Sequence, residues 1–269
     1  MKVVIVGCGW LGAQLAIVLR DAGHQVFASR RQQQALADIT QGVSPVLLDL
    51  STAQVLPEVY TALHQAIVIC AIPPGGRSGG TSQYQAVLTQ LSLLMQQAGS
   101  RGVIHFSSSG IYQGLSGDVD EQASLQLDIE RVAVLAQGEA ILQRALPLCI
   151  TLRLAGLMGP GRHPGRFVIG KTLANPEGLI NMLHAQDACA AVLRLLSEDQ
   201  LQSAVYNLCS PDGVTRREFY QTAAKALGAA LNFSDDSMIS HRALAQRFIQ
   251  RFAFQYRFAS PLAALTYCD

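Results

Sequence analysis

Short apolar runs recur along this chain, and longer stretches with helical spacing separate them. Val3-Val4-Ile5-Val6 is the first run, and others lie at 25–29, 45–50, 66–71, 102–106, 148–153 and 204–208. Each is short and aliphatic without strict alternation, the pattern of a strand buried on both faces of a sheet. Between them the apolar residues fall three and four apart. In 83–97 they are Val87, Leu91, Leu94 and Met95, one stripe of a helix that faces a core. The same reading places helices at 13–20, at 32–41, from near Thr52, from 121 through 144 and from 187 towards 196. Strands alternating regularly with helices predict an α/β protein built on a doubly wound parallel sheet. The texture changes at 156–166, which is rich in Gly, Pro and Arg and has no period. A long loop of that kind is usually functional. From Thr215 the tail reads as a small helical lobe, with 252–258 extended. The expected division is a sheet-bearing core over 1–155, continued by 184–208, and a small C-terminal substrate-side lobe over 156–183 and 209–269.

Composition narrows the class. Hydrophobic residues make up 49% of the 269 positions and charged ones only 14%, which suits a large buried sheet and excludes a disordered chain. The net charge of +1 provides no bulk attraction for nucleic acid or an anionic membrane. No run reaches the unbroken apolar length of a membrane span. Residues 2–19 superficially resemble a signal peptide, but Gln14 and three glycines interrupt them and no small-residue cleavage site follows. Six cysteines (Cys8, Cys70, Cys149, Cys189, Cys209 and Cys268) are scattered without a C-x-x-C pair. They read as buried thiols in a reducing cytoplasm, and with no ligand spacing added by His163 or His184 no metal site is expected.

The chemistry begins where the first run ends. Gly7-Cys8-Gly9-Trp10-Leu11-Gly12 is a G-x-G-x-x-G turn between a strand and a helix, the context in which that motif binds a dinucleotide. Gly7 makes the turn, Gly9 lets the backbone approach a diphosphate, and Gly12 lets the helix pack on the strand. The helix N-terminus at Trp10 and Leu11 offers its amides to the anion. After the second strand, where an acidic residue would bind the ribose 2′-hydroxyl of NAD, stand Ser29, Arg30 and Arg31. An arginine fork pairs with a 2′-phosphate that a carboxylate would repel, so NADP is favoured, with NAD possible; alternatively the arginines are a solvated helix start. Asp49, followed by Leu50, ends the third run and reads as a partner for the adenine amino group, as an N-cap for the next helix, or as both. Cys70, Ala71 and Ile72 close the fourth run and Ser107 the fifth, and both ends should border the cofactor. The glycines of 75–80 read as a lid or as a plain loop.

Taken in order, these motifs resemble one family. With Ser107-Ser108-Ser109-Gly110-Ile111-Tyr112, the Arg153 to Arg162 run, His184 with Asp187, and Val205-Tyr206-Asn207-Leu208, the chain looks like the extended short-chain dehydrogenase/reductases, the NAD(P)-dependent epimerase/dehydratase group. Within it the chain is most similar to an atypical branch, small bacterial proteins of the YeeZ type. The resemblance implies a Rossmann-type fold, a nicotinamide cofactor and a small-molecule substrate such as a nucleotide sugar. It also implies a homodimer through the helices at 83–97 and 121–144. The family's Y-x-x-x-K pair is missing: no tyrosine has a lysine four residues later, and the only lysines are Lys2, Lys171 and Lys225. If Glu139 is the glutamate that follows that pair in relatives, Arg131 and Leu135 occupy the two positions.

Ser108 falls on the family's hydroxyl position and Tyr112 is the candidate proton donor. Arg153, Arg162, His163, Arg166 and Lys171 are candidates for an anionic substrate, since an arginine stays protonated and binds where it does not transfer protons. Two functions follow. One is an oxidoreductase or epimerase-like enzyme with a non-standard active site. The other is a catalytically inactive NADP-binding sensor.

Overall fold

Every run that reads as a strand in the sequence is a strand in the computed structural model, which describes residues 1–52, 55–74, 81–236 and 239–269. In chain order the first half comprises β1 (Lys2–Val6), α1 (Trp10–Asp21), β2 (Gln25–Arg30), β3 (Ser44–Leu47), α2 (Pro57–Leu63), β4 (Ile67–Cys70), α3 (Thr81–Ala98) and β5 (Gly102–Ser108). Next come β6 (Gly117–Val119), α4 (Glu130–Ala145), β7 (Cys149–Leu154), β8 (Gly156–Met158), β9 (Thr172–Leu173), β10 (Met182–His184), α5 (Ala185–Leu196) and β11 (Ala204–Leu208). The last stretch holds α6 (Arg216–Ala226), β12 (Asn232–Phe233), β13 (His241–Ala243), α7 (Gln246–Phe252) and α8 (Pro261–Ala264). Among the described residues no helix is long and apolar enough to cross a membrane.

A seven-stranded sheet has the order β11-β7-β5-β4-β1-β2-β3. The pairs β2–β3, β1–β2, β1–β4 and β4–β5 are parallel, as a doubly wound sheet requires. The order reverses between β1 and β4, and the crevice outside the strand ends at such a point is where open α/β sheets bind ligands. Pro45 is accommodated because β3 is an edge strand, with no neighbour to need its missing N–H.

The chain divides into two compact units. The first comprises Met1–Ser107, Ala133–Leu152 and Leu195–Val205; the second comprises Ser108–Val132, Arg153–Arg194 and Tyr206–Asp269. In the first, aliphatic residues of β1 and β4 meet Leu88, Leu91, Leu94 and Met95 of α3 and Leu142 of α4 in one core. In the second, Met158, Met182, Phe219 and Phe258 form another. Aromatic side chains fill a further part of it, Phe248 lying within 5.5 Å of Tyr206, Phe252 and Phe254. α6 opens on a side-chain N-cap: Thr215 Oγ1 accepts from the Glu218 amide at 3.2 Å.

Four local expectations need correction. Residues 32–41 are not an α-helix; Gln33–Asp38 form a 3-10 helix with no buried residue, so no packed face repays the cost of a longer helix. Asp49 does not cap a helix at Thr52. It accepts from the Ser51 amide and hydroxyl in a local turn, and α2 starts only at Pro57. The helix expected from 121 starts at Glu130, because the Asp120 carboxylate accepts from the Gln122 amide and turns the chain. The 156–166 stretch is partly regular: β8 pairs in parallel with β10. The proposed lid at 75–80 lies outside the described residues.

Candidate functional site

The glycine loop has its conformation imposed by its neighbours. Gly7 has φ +89°, and a Cβ there would lie 3.0 Å from the Ala71 carbonyl group, so only glycine fits between β1 and the end of β4. Gly12 packs back on the same turn, where a Cβ would meet the Gly7 carbonyl oxygen at 3.1 Å. A Cβ at Gly9 would instead meet nothing closer than 3.9 Å. The freedom at Gly9 therefore serves the cleft, whereas that at Gly7 and Gly12 serves the fold. α1 has no side-chain cap and no acidic residue in its first turn, which leaves its positive end unopposed by a carboxylate.

A cavity of about 560 Å³ lies at this loop. Of the residues expected at the cofactor, Gly7, Gly9, Ser29, Arg30, Arg31, Asp49, Leu50 and Ile72 line it. Ser29 has a role the sequence did not disclose. Its hydroxyl accepts from the Gly7 amide at 3.1 Å, and its carbonyl accepts from the Cys8 amide at 3.3 Å. The residue that stands where NAD enzymes carry an acid is thus spent on holding the turn. Among the described residues Arg30 Nε is buried without a hydrogen-bond partner, which leaves a charged donor available beside it. The Asp49 carboxyl is held below the usual carboxylate range by the Ser51 hydroxyl and amide, with Arg31 adding to them.

Other expected cofactor residues do not line that cavity. Leu11 and Cys70 are core, and burial pushes the Cys70 thiol up to about 12. The Ala71 amide is bonded to the Val6 carbonyl at 2.8 Å. Ser107 donates to Glu139 Oε1 at 2.7 Å, both groups being buried. Trp10 is half-buried at the start of α1. In the other direction, Tyr84 and Val87 of α3 are part of the wall. They look in sequence like any other apolar positions of a helix, so nothing there signalled the role.

In the second unit Ser108 caps the 3-10 helix Ser109–Tyr112 by accepting from the Gly110 amide at 3.1 Å. Tyr112 is not at a rim. It is 0% exposed, donates to Asn207 Oδ1 at 2.7 Å and accepts from Arg153 at 2.8 Å. Burial pushes its phenol up, and the Arg153 guanidinium opposes that shift. Asn207 is in turn held by the Glu121 carboxylate, which accepts from its amide. Arg162, Arg166 and Lys171 are exposed, and two of them reach Phe167: the Arg162 guanidinium lies 5.5 Å from its ring and Lys171 Nζ donates to its carbonyl at 2.8 Å. His163 does not join them. It is 1% exposed and its Nδ1 accepts from the Gly165 amide, capping a 3-10 helix. His184 and Asp187 are structural: Asp187 accepts from the amides of Arg257 and Phe258 at 2.7 and 3.2 Å, and His184 meets the Tyr267 carbonyl.

Protein YeeZ of Escherichia coli strain K12 is 32% identical to this chain over 269 residues, which cover 97% of each. The chain belongs to the YeeZ family. No protein-family model matches it. MoeE5, solved in complex with UDP-glucose and NAD, is 20% identical and covers 100% of the YeeZ-family chain and 97% of its own, with a TM-score of 0.79. UDP-N-acetylglucosamine 4-epimerase from Bacillus cereus is 18% identical over 98% of this chain and 94% of its own, with a TM-score of 0.74. The chain thus shares the Rossmann-type fold of these solved structures. On α4, Arg131 is exposed and Leu135 buried, and the helix itself carries neither a tyrosine nor a lysine.

Proposed function

We propose that the chain is an NAD(P)-dependent oxidoreductase or epimerase-like enzyme that uses the 2′-phosphorylated cofactor and acts on a nucleotide sugar. One observation carries the cofactor reading: a cleft at the sheet's reversal point that joins the open side of Gly9, the unopposed start of α1 and the unpartnered Arg30 Nε. When bound, the nicotinamide supplies the hydride chemistry. Gly7, Gly9, Trp10 and Leu11 hold the diphosphate, Arg30 and Arg31 the 2′-phosphate, and Asp49 the adenine amino group.

Ser108 hydrogen-bonds the substrate oxygen, and Tyr112 supplies the proton once that oxygen displaces Asn207 Oδ1 as the acceptor of its hydroxyl. Its raised pKa keeps that proton on at neutral pH, and Arg153, 2.8 Å from the phenol oxygen, offsets the charge left behind. Arg153 thereby takes the part of the absent lysine. Arg162, Arg166 and Lys171 with the exposed Phe167 suit a nucleoside diphosphate, anionic and flat-ringed. MoeE5, with this fold, was solved with UDP-glucose.

The test is a titration with NADPH and NADH, read from the single tryptophan, Trp10, followed by a turnover screen on nucleotide sugars. Arg30→Ala should weaken NADPH about tenfold and NADH little, the loss of a charge-assisted pair. Equal weakening of both would remove the 2′-phosphate assignment. Turnover that survives Tyr112→Phe unchanged would remove the proton donor, and tight binding without turnover on any substrate would leave a sensor.

A further inference from the structure

Three unusual residues meet behind one wall of the cleft. Tyr84, 4% exposed, lines the cavity from α3. Its hydroxyl meets His105 Nε2 at 3.2 Å. His105 lies on β5, is 0% exposed, and its Nδ1 has no hydrogen-bond partner among the described residues. Among the described residues, Tyr84 is therefore the one bonded neighbour of a fully buried imidazole. On the other side of the ring is α4. A Cβ at Gly138 would lie 2.8 Å from Tyr84 Cε1 and 3.1 Å from Leu88 Cδ1. Gly138 stands in the interior of that helix, where glycine is destabilising relative to alanine.

Each feature costs stability. A buried imidazole with one unsatisfied nitrogen is worse than an aliphatic side chain of similar size. A glycine in mid-helix is worse than alanine. Both costs are incurred at the same aromatic ring. A plain core would meet neither cost, since leucine could take the place of Tyr84. What the arrangement provides is direction: His105 sets how far the hydroxyl reaches inward, and Gly138 lets the ring lie close to α4. The result is one fixed aromatic surface on the cleft.

We propose that Tyr84 is a dinucleotide-binding residue of the cleft, a ring that contacts the bound cofactor and is held in place by His105 and seated on Gly138. The proposal rests on the dinucleotide reading of the cleft. His105 and Gly138 are positioning residues and touch no ligand. Around them stand Cys70 of β4, Glu139 of α4 and Cys149 of β7, all buried. Burial holds the imidazole down at about 4, so it is neutral at neutral pH and its bond to Tyr84 is one between uncharged groups.

The experiment compares NADPH binding, read through Trp10, in the wild type, Tyr84→Phe, Tyr84→Leu, Gly138→Ala and the double variant Gly138→Ala/Tyr84→Leu. Circular dichroism and thermal melts of the ligand-free proteins run alongside. Tyr84→Leu should weaken binding about tenfold, as for loss of an aromatic anchor. Tyr84→Phe keeps the ring but frees it from His105, and should lose about threefold, one neutral hydrogen bond's worth of restraint. Gly138→Ala should also lose about tenfold, by overpacking that displaces the ring, although alanine favours the helix. In the Tyr84→Leu background Gly138→Ala should have no further effect on binding, because its influence passes through the ring. If Gly138→Ala and Tyr84→Leu change melting temperatures but leave NADPH affinity at the wild-type value, the cluster is structural and the proposal falls. The same holds if the two losses add in full. A wild type that binds neither NADPH nor NADH overturns the dinucleotide reading itself, and this proposal with it.

Discussion

His105 shows how one side chain ties stability to pH. The unfolded chain takes up a proton on this imidazole near pH 6.5, while the folded chain resists until about pH 4. Because the folded pKa is the lower one, its contribution is fully present above pH 6.5 and is lost as pH falls towards 4. The loss over that window is roughly 3 kcal/mol, the size expected for a shift of a few units. A series of urea midpoints from pH 7.5 to 4 should therefore slope downward, and His105→Gln should flatten it. His163, His184 and His241 are pushed down by burial as well, so a shallower slope remains in that variant. Ser29 offers a second check at this scale. Ser29→Ala removes the acceptor for the Gly7 amide and should cost about 1 kcal/mol, a typical net hydrogen bond, seen as a lower urea midpoint. Neither role was legible in the sequence. A serine after β2 reads only as the absence of an acid, and a histidine in an apolar run reads only as buried.

Elements were legible where their pattern is local. β11 was expected at 204–208 and is Ala204–Leu208; α3 was expected at 83–97 and is Thr81–Ala98. Both carry their period within a dozen residues. Errors came where polar side chains compete with the helix. The Asp120 and Asp49 carboxylates each accept from an amide two residues ahead, a local turn that wins over helix where no apolar face is packed. α6 is the contrary case, because Thr215 and Glu218 mark its start in the sequence itself. Thr215→Ala should destabilise the protein by about 1 kcal/mol, and amide exchange should quicken first at Glu218, whose N–H loses its acceptor.

At the scale of the molecule, the sheet order decides where chemistry can occur. β1 and β4 are far apart in sequence yet adjacent in the sheet, and the reversal between them opens the cleft beside Gly7. Among the described residues the cleft is lined from the first unit, and NADPH at a hundred times its Kd should stabilise the protein by about 2.7 kcal/mol through mass action. Hydrogen-exchange protection should then appear within 1–107, at the ends of β1, β2 and the start of α3. Protection centred on 153–194 instead would place the cofactor elsewhere. The sequence by itself determined the α/β alternation, the glycine turn and the basic replacement after β2, since each is written in residues within a few positions of one another. Only the tertiary structure decided which side chains meet: Ser29 with the Gly7 amide, Tyr112 sealed between Arg153 and Asn207, and Tyr84 set between His105 and Gly138. Those pairs lie from 21 to 95 positions apart. What brings them together is strand order and helix packing, which no local period records.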